Sequence, residues 1–414
     1  MEKYVNYCYN FWENLDKYVD RKYIIDDGGN HFVQIAKPHK KALWNIHFII
    51  VVEQQQLKPL VLLEMKKKDK NMTLSKSNIS QRRKLLNHIC YVDMNEDFID
   101  GIYNDPEGLS TYKGKHILSC DSTICDAPNI GYTEKELKEL NNPALNRLKK
   151  ELIRFRASCI ADTQSDFILT SELVNYKKMS EVELALKHLD NLNQRIDMTK
   201  TITTYDRGYP SVELMIKHII LNSFFVIRLR SSDFDKEISK MKTYDEIINI
   251  NINRNRTQSF HNEELKNKAY QIGRLPIRIT KIQLINKKGQ KYTEILASNL
   301  PFEDFNSEDL KEIYGKRWKI ETNFDRLKNI IHIENFSGYS EEIIKQDFYA
   351  NTFIFNFLMA MKLDADLKVK EKHKDKELKH EYKTNLNVLY GLIKLDIPDL
   401  LSDDPKKECY SKNT

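Results

Sequence analysis

The chain has 414 residues, 41% of them hydrophobic and 10% aromatic, with 12 Gly and 10 Pro. This excludes a largely disordered, a collagen-like or a Pro/Gly-rich low-complexity protein. Lys and Arg number 66 against 60 Asp and Glu, a formal charge of +6, so any electrostatic footprint has to be local rather than global.

The six Cys are dispersed and form no Cys-x-x-Cys pair, so neither a zinc ribbon nor a disulfide framework is indicated and a reducing, cytoplasmic compartment is expected. Near the N-terminus the longest apolar run, residues 48–52, is five residues long, where a bilayer needs about 20. The first 20 residues are charged throughout and carry no signal-peptide pattern. No membrane partner is expected.

Residues 1–110 read as a mainly helical region. Leu74-Ser75 is a candidate start for a helix through Arg82, Leu85, Leu86 and Ile89. Between Glu64 and Lys84 stand eight basic residues, among them Lys66, Lys67, Lys68, Arg82 and Arg83, and two acidic ones. Such a patch is a footprint for nucleic acid, the alternative being a solvated helix face. Asp105-Pro106-Glu107-Gly108 reads as a turn before a change of pattern.

From His116 to Asp121 a short strand ending in a carboxylate is expected. Residues 155–161 and 167–174 read as a hairpin around the turn residues 162–166. Ser180 and Glu183 form a capping box for a helix through Leu192. Thr201 to Tyr205 is a β-branched run ending at Asp206, and Pro210-Ser211 opens another amphipathic helix. Residues 224–229 read as a further strand. This order suits a mixed α/β sheet with helices on its faces, in which Asp121 and Asp206 end two strands, where sites collect.

Residues 231–300 break the rhythm: a polar, Asn- and Lys-rich stretch precedes a β-rich one, with a hairpin turn at Asn286 to Gly289. One long helix is expected from Ser307 to about Ile333, and an apolar one from Asp347 to Leu363. At about 100° per residue, Tyr314, Arg317, Glu321 and Lys328 fall within about 60° of one another on the first of these. Ile313, Ile320, Phe324, Leu327 and Ile331 form its buried face. Arg317–Glu321 is also an i,i+4 ion pair, Trp318 reads as a packing anchor, and Arg228 ends a strand near this stripe. Three carboxylates from separate elements repel one another unless cations bind between them, and hard oxygen ligands select Mg²⁺ or Mn²⁺.

Tyr314, Arg317, Glu321 and Lys328, separated by two, three and six residues, resemble the Y-R-E-K signature of the IS4 family of bacterial insertion-sequence transposases. Thr204 to Pro210 looks like that family's second-aspartate motif and Cys120 to Thr123 like its first. The similarity runs from about residue 70 to 395. The resemblance implies an RNase H-like catalytic core (111–230 plus 301–363) interrupted by a β-rich insertion (231–300). A helical C-terminal region (364–414) is assigned to dimerisation.

It also implies a DDE triad of Asp121, Asp206 and Glu321 that binds two Mg²⁺ ions, with Mn²⁺ able to substitute. Tyr314, Arg317 and Lys328 would lie on DNA, in a homodimer that brings element terminal inverted repeats to target double-stranded DNA in a bacterial cytoplasm. A 3′-hydroxyl freed at an element end would be transferred into the target. Relatives use a Trp of the insertion to stack a flipped base, and residues 231–300 contain none; Phe234, Tyr244, Phe260 and Tyr270 are the substitutes considered. The competing readings are a catalytically silent DNA-binding descendant and a structure-selective nuclease.

Overall fold

The computed structural model describes residues 3–18, 83–84, 86–129, 133, 135, 136, 139, 152–286, 288–338, 340–374 and 382–392. The chain divides into two compact units, residues 99–326 and residues 1–98 with 327–414.

The first unit is built on one mixed sheet. In chain order its elements are β1 (His116–Pro128), β2 (Leu152–Asp162), β3 (Ile168–Asn175), helix α3 (Glu181–Asn193), β4 (Thr201–Tyr205), α4 (Val212–Ile220) and β5 (Phe224–Leu229). Short helices α5 (Asp235–Ile238) and α6 (Arg254–Thr257) flank β6 (Asp245–Asn251), and α7 (Glu263–Ile272), β7 (Arg274–Ile285) and β8 (Lys291–Ser298) follow. The eight strands are ordered β3-β2-β1-β4-β5-β8-β7-β6. β1, β2 and β3 form an antiparallel meander, and β4 and β5 then add in parallel to β1 through α3 and α4. This is the RNase H-like arrangement. Strands β6–β8, from the stretch expected as an insertion, continue the same sheet through the antiparallel β5–β8 pair.

Local sequence explains several of these elements. Ser180 Oγ accepts from the Glu183 N–H while the Glu183 carboxylate accepts from the Ser180 N–H, so α3 starts where the capping box predicts. Asp166, at φ 64°, turns the β2–β3 hairpin, and Asn286 to Gly289 (φ 77°) turns the β7–β8 hairpin. Ser211 caps α4. The sheet and α8 (Ser307–Gly315) bury a shared cluster that includes Ile117, Ile202, Val226, Leu296, Leu310 and Ile313.

Three expectations need correction. β1 does not stop at Asp121 but runs to Pro128, because β2 pairs with it from Leu118 to Pro128. The helix expected from Ser307 to Ile333 is two helices, α8 and α9 (Trp318–Asn329). At the break the N–H groups of Arg317 and Ile320 reach back three residues rather than four, to Tyr314 and Arg317, a tighter winding common at helix ends. Helix α10 (Glu341–Lys372) is longer than the stretch expected from Asp347 to Leu363: Ser340 caps it seven residues before Asp347, and it runs on to Lys372.

The other unit contains α1 (Lys3–Glu13), the start of α2 (Ile89–Asn104) and α10. Phe11, Trp12, Phe98, Phe353 and Phe357 pack ring against ring, Phe98 meeting Phe11 and Phe353 edge-on at 5.1 and 5.5 Å. The helix start expected at Leu74-Ser75 lies outside the described residues, and the described helix begins at Ile89.

Candidate active site

Sheet register brings the two aspartates together. β1 and β4 run parallel, and their last aligned pair is Ser119 with Thr204. Asp121 and Asp206 each stand two residues further on, Asp121 where β1 continues against β2 and Asp206 just past the end of β4. Asp206 Oδ1 accepts the Gly208 N–H at 2.6 Å, and Asp121 Oδ1 accepts the Ser122 N–H at 2.8 Å.

Glu321 comes from the first turn of α9. Arg317, at the helix break, is buried and bridges two of the carboxylates: Nη1 lies 3.5 Å from Asp121 Oδ2 and Nη2 lies 2.7 Å from Glu321 Oε1. The Arg317–Glu321 pair read from the spacing is thus present, with a third member from the sheet. Burial pushes the Asp121 carboxyl up to about 6; the Ser122 N–H and Arg317 oppose this, and the charges of Asp206 and Glu321 add to it. Burial works against the Arg317 charge, but Tyr314, Glu321 and Asp121 together hold it above its ordinary range.

Tyr314 is 5% exposed. Burial pushes its hydroxyl up to about 12, with Arg317 opposing the shift, and among the described residues the buried Arg317 Nε has no hydrogen-bond partner. Beside them stand Arg228 on β5 and Glu294 on β8, paired at 3.2 Å, whose charges both bear on Tyr314. Lys328 falls in the last turn of α9 and pairs with Glu334 at 3.4 Å.

Other residues fall elsewhere. Trp318, expected as a packing anchor, is 63% exposed because it is the first residue after the helix break. Arg83 is drawn inward: its Nη2 lies 2.7 Å from Asp347 and its Nη1 donates to Ser337 at 2.6 Å. Its guanidinium makes a buried structural ion pair and is not an exposed cation. Lys66, Lys67, Lys68 and Arg82 lie outside the described residues. Cys120 and Cys159 are buried thiols pushed up by burial, which suits inert side chains.

Sequence reading missed Glu181. It sits between the two residues of the capping box and reads there as a first-turn acid. In the fold, its Oε1 accepts from Ser122 Oγ at 2.5 Å. The packing of α3 against the sheet places it there, which no local motif encodes.

Residues 113–357 match the family described as Transposase DDE domain. The chain belongs to that family. No curated protein matches the sequence. Among solved structures the chain is similar to piggyBac transposase, determined by cryo-EM in a synaptic complex with hairpin DNA. That likeness has 9% sequence identity and a TM-score of 0.48, and covers 97% of this chain and 82% of the other.

DDE transposase domains work with divalent metal ions. The donor chemistry of this transposase domain fits such ions: Asp121, Asp206 and Glu321 supply hard carboxylate oxygens, and burial raises the free energy of leaving Asp121 charged without a nearby cation. Among the described residues no three His, Cys, Asp or Glu side chains close tightly around one point. The Arg317 guanidinium provides the positive charge between Asp121 and Glu321.

Proposed function

We propose that this transposase cuts the ends of an insertion sequence and joins the freed 3′-hydroxyl to target DNA, as the IS4-family resemblance implies. The observation that carries the reading is the cluster at Asp121: the carboxylates of Asp206, just past β4, and Glu321, on α9, bear on that half-buried group, with Arg317 bridging Asp121 and Glu321, inside the family-matched span.

Asp121, Asp206 and Glu321 are the residues assigned to hold two Mg²⁺ ions. When bound, such ions lower the pKa of the attacking water or hydroxyl and stabilise the leaving oxygen of the phosphodiester. Among the described residues the buried Arg317 Nε has no partner, and this donor, with the neighbouring Tyr314 hydroxyl, suits the non-bridging oxygens of the phosphate being cut. Lys328 is assigned to a phosphate near the cut, and Lys66, Lys67, Lys68 and Arg82 to the flanking duplex. Arg83 is left out of that patch because its charge is already buried against Asp347. The active form is assigned as a homodimer on paired element ends.

The test uses purified protein and the DNA flanking its gene, with Mg²⁺ present. A nick at a defined element end, followed by joining of the new 3′-hydroxyl to a target plasmid, is the expected result. Glu321→Ala should abolish cutting while leaving DNA binding largely intact. Cutting without joining would indicate a structure-selective nuclease, and binding without cutting a silent descendant. Either would overturn the proposal.

A further inference from the structure

Arg317 pairs with Asp121 and Glu321 on one side of the candidate site; the other side is built differently. Glu181 opens α3, and its Oε1 is fixed by the hydroxyl of Ser122, the residue after Asp121. Its Oε2 faces Gly208: a Cβ there would stand 3.4 Å from Glu181 Oε2 and 2.9 Å from Asp206 Oδ1. Two carboxylates from two elements thus reach one point, which the missing side chain of Gly208 keeps open.

Among the described residues neither carboxylate has an ion pair, their partners being the Ser122 hydroxyl and the Gly208 N–H. The Tyr209 hydroxyl is buried beside the Cys120 thiol. The charges of Glu181, Asp121 and Asp206 all act on it. An uncompensated pair of carboxylates around an open point repels itself until a cation enters, and oxygen donors of this kind select a small hard divalent ion.

We propose that Glu181 is a fourth carboxylate of the site and that, with Asp206, it holds one of the divalent ions. This inference rests on the metal-dependent reading given above. It assigns Ser122 to orienting the Glu181 carboxylate, and Gly208 to leaving room for the ion.

The test is Mn²⁺ binding to the full-length protein without DNA, followed by electron paramagnetic resonance. Glu181→Gln keeps the side chain's shape and an acceptor for Ser122 but removes the charge. It should weaken one Mn²⁺ site by about tenfold or more, the scale on which even outer-shell partners of a metal act. Asp206→Asn should weaken the same site. Mn²⁺ binding by Glu181→Gln equal to that of the unaltered protein, with Asp206→Asn impaired, would overturn this inference alone. Binding that neither Asp121→Asn nor Asp206→Asn changes would overturn the underlying metal reading as well. A second measurement needs no variant: Fe²⁺ with peroxide should cut the native chain near residues 121, 181 and 206, and cuts at 121 and 206 without one at 181 would overturn the role of Glu181.

Discussion

Arg317 is the residue on which the site's electrostatics turn. Its guanidinium compensates Asp121 and Glu321 at 3.5 and 2.7 Å, so it competes with any cation for those oxygens while offering donors to a phosphate. Arg317→Ala is therefore expected to act in two directions. Strand cutting should fall by about 100-fold or more, the loss typical of one preorganised donor in a transition state. Mn²⁺ affinity should rise, because two carboxylates lose their internal counter-ion. Cleavage assays and Mn²⁺ titration of the same variant check both; weaker metal binding would show that Arg317 supports the carboxylates rather than competing for them. The pair with Glu321 was legible from its i,i+4 spacing. The contact with Asp121 was not, since it depends on how α8 and α9 meet the sheet.

At the scale of elements, local signals fared better than long-range ones. The Ser180–Glu183 capping box lies within four residues, and the helix begins where it says. Ser180→Ala should cost about 1 kcal/mol, read as a lower denaturation midpoint for the sheet-bearing unit; an unchanged midpoint would show that packing alone fixes the start of α3. The length of β1 is set by its partner β2, more than 30 residues away in register terms at Asp121 and Cys159, so a turn-free reading of His116 to Asp121 had no cause to continue. The break between α8 and α9 was likewise hidden, because the helical stripe from Tyr314 to Lys328 is equally well satisfied by one straight helix. Glu181 was missed for the converse reason: its local role at a helix start was sufficient to explain it.

At the scale of the whole molecule, the sheet core contains two histidines kept neutral. His188 is hydrogen-bonded by Ser158 and Thr170, and His218 by Tyr205 and Ser223. Burial pushes both down to about 3, and the adjacent Lys187 and Lys217 add to this. In the unfolded chain each takes up a proton near pH 6.5, so between about pH 6.5 and 3 the unfolded state binds more protons. Stability is then fully present above pH 6.5 and declines on acidification through that window, by up to about 1.4 kcal/mol per pH unit for each histidine. Thermal unfolding should show a falling midpoint from pH 7 to 5, and His218→Gln should flatten that slope. An unchanged slope would show that His218 does not contribute to the acid loss of stability.

Asp121, Asp206 and Glu321 are proposed to form one divalent-metal site that cuts DNA. Its most direct test is the cutting rate on the element-end DNA in Mg²⁺, in EDTA, and in Mg²⁺ for Asp121→Asn, Asp206→Asn and Glu321→Gln taken singly. Residues that act as one unit lose function together rather than in shares. Cutting is expected in Mg²⁺, none in EDTA, and a fall to the EDTA level for each of the three variants. Cutting that continues in EDTA, or that survives near the unaltered rate in any one variant, would contradict it.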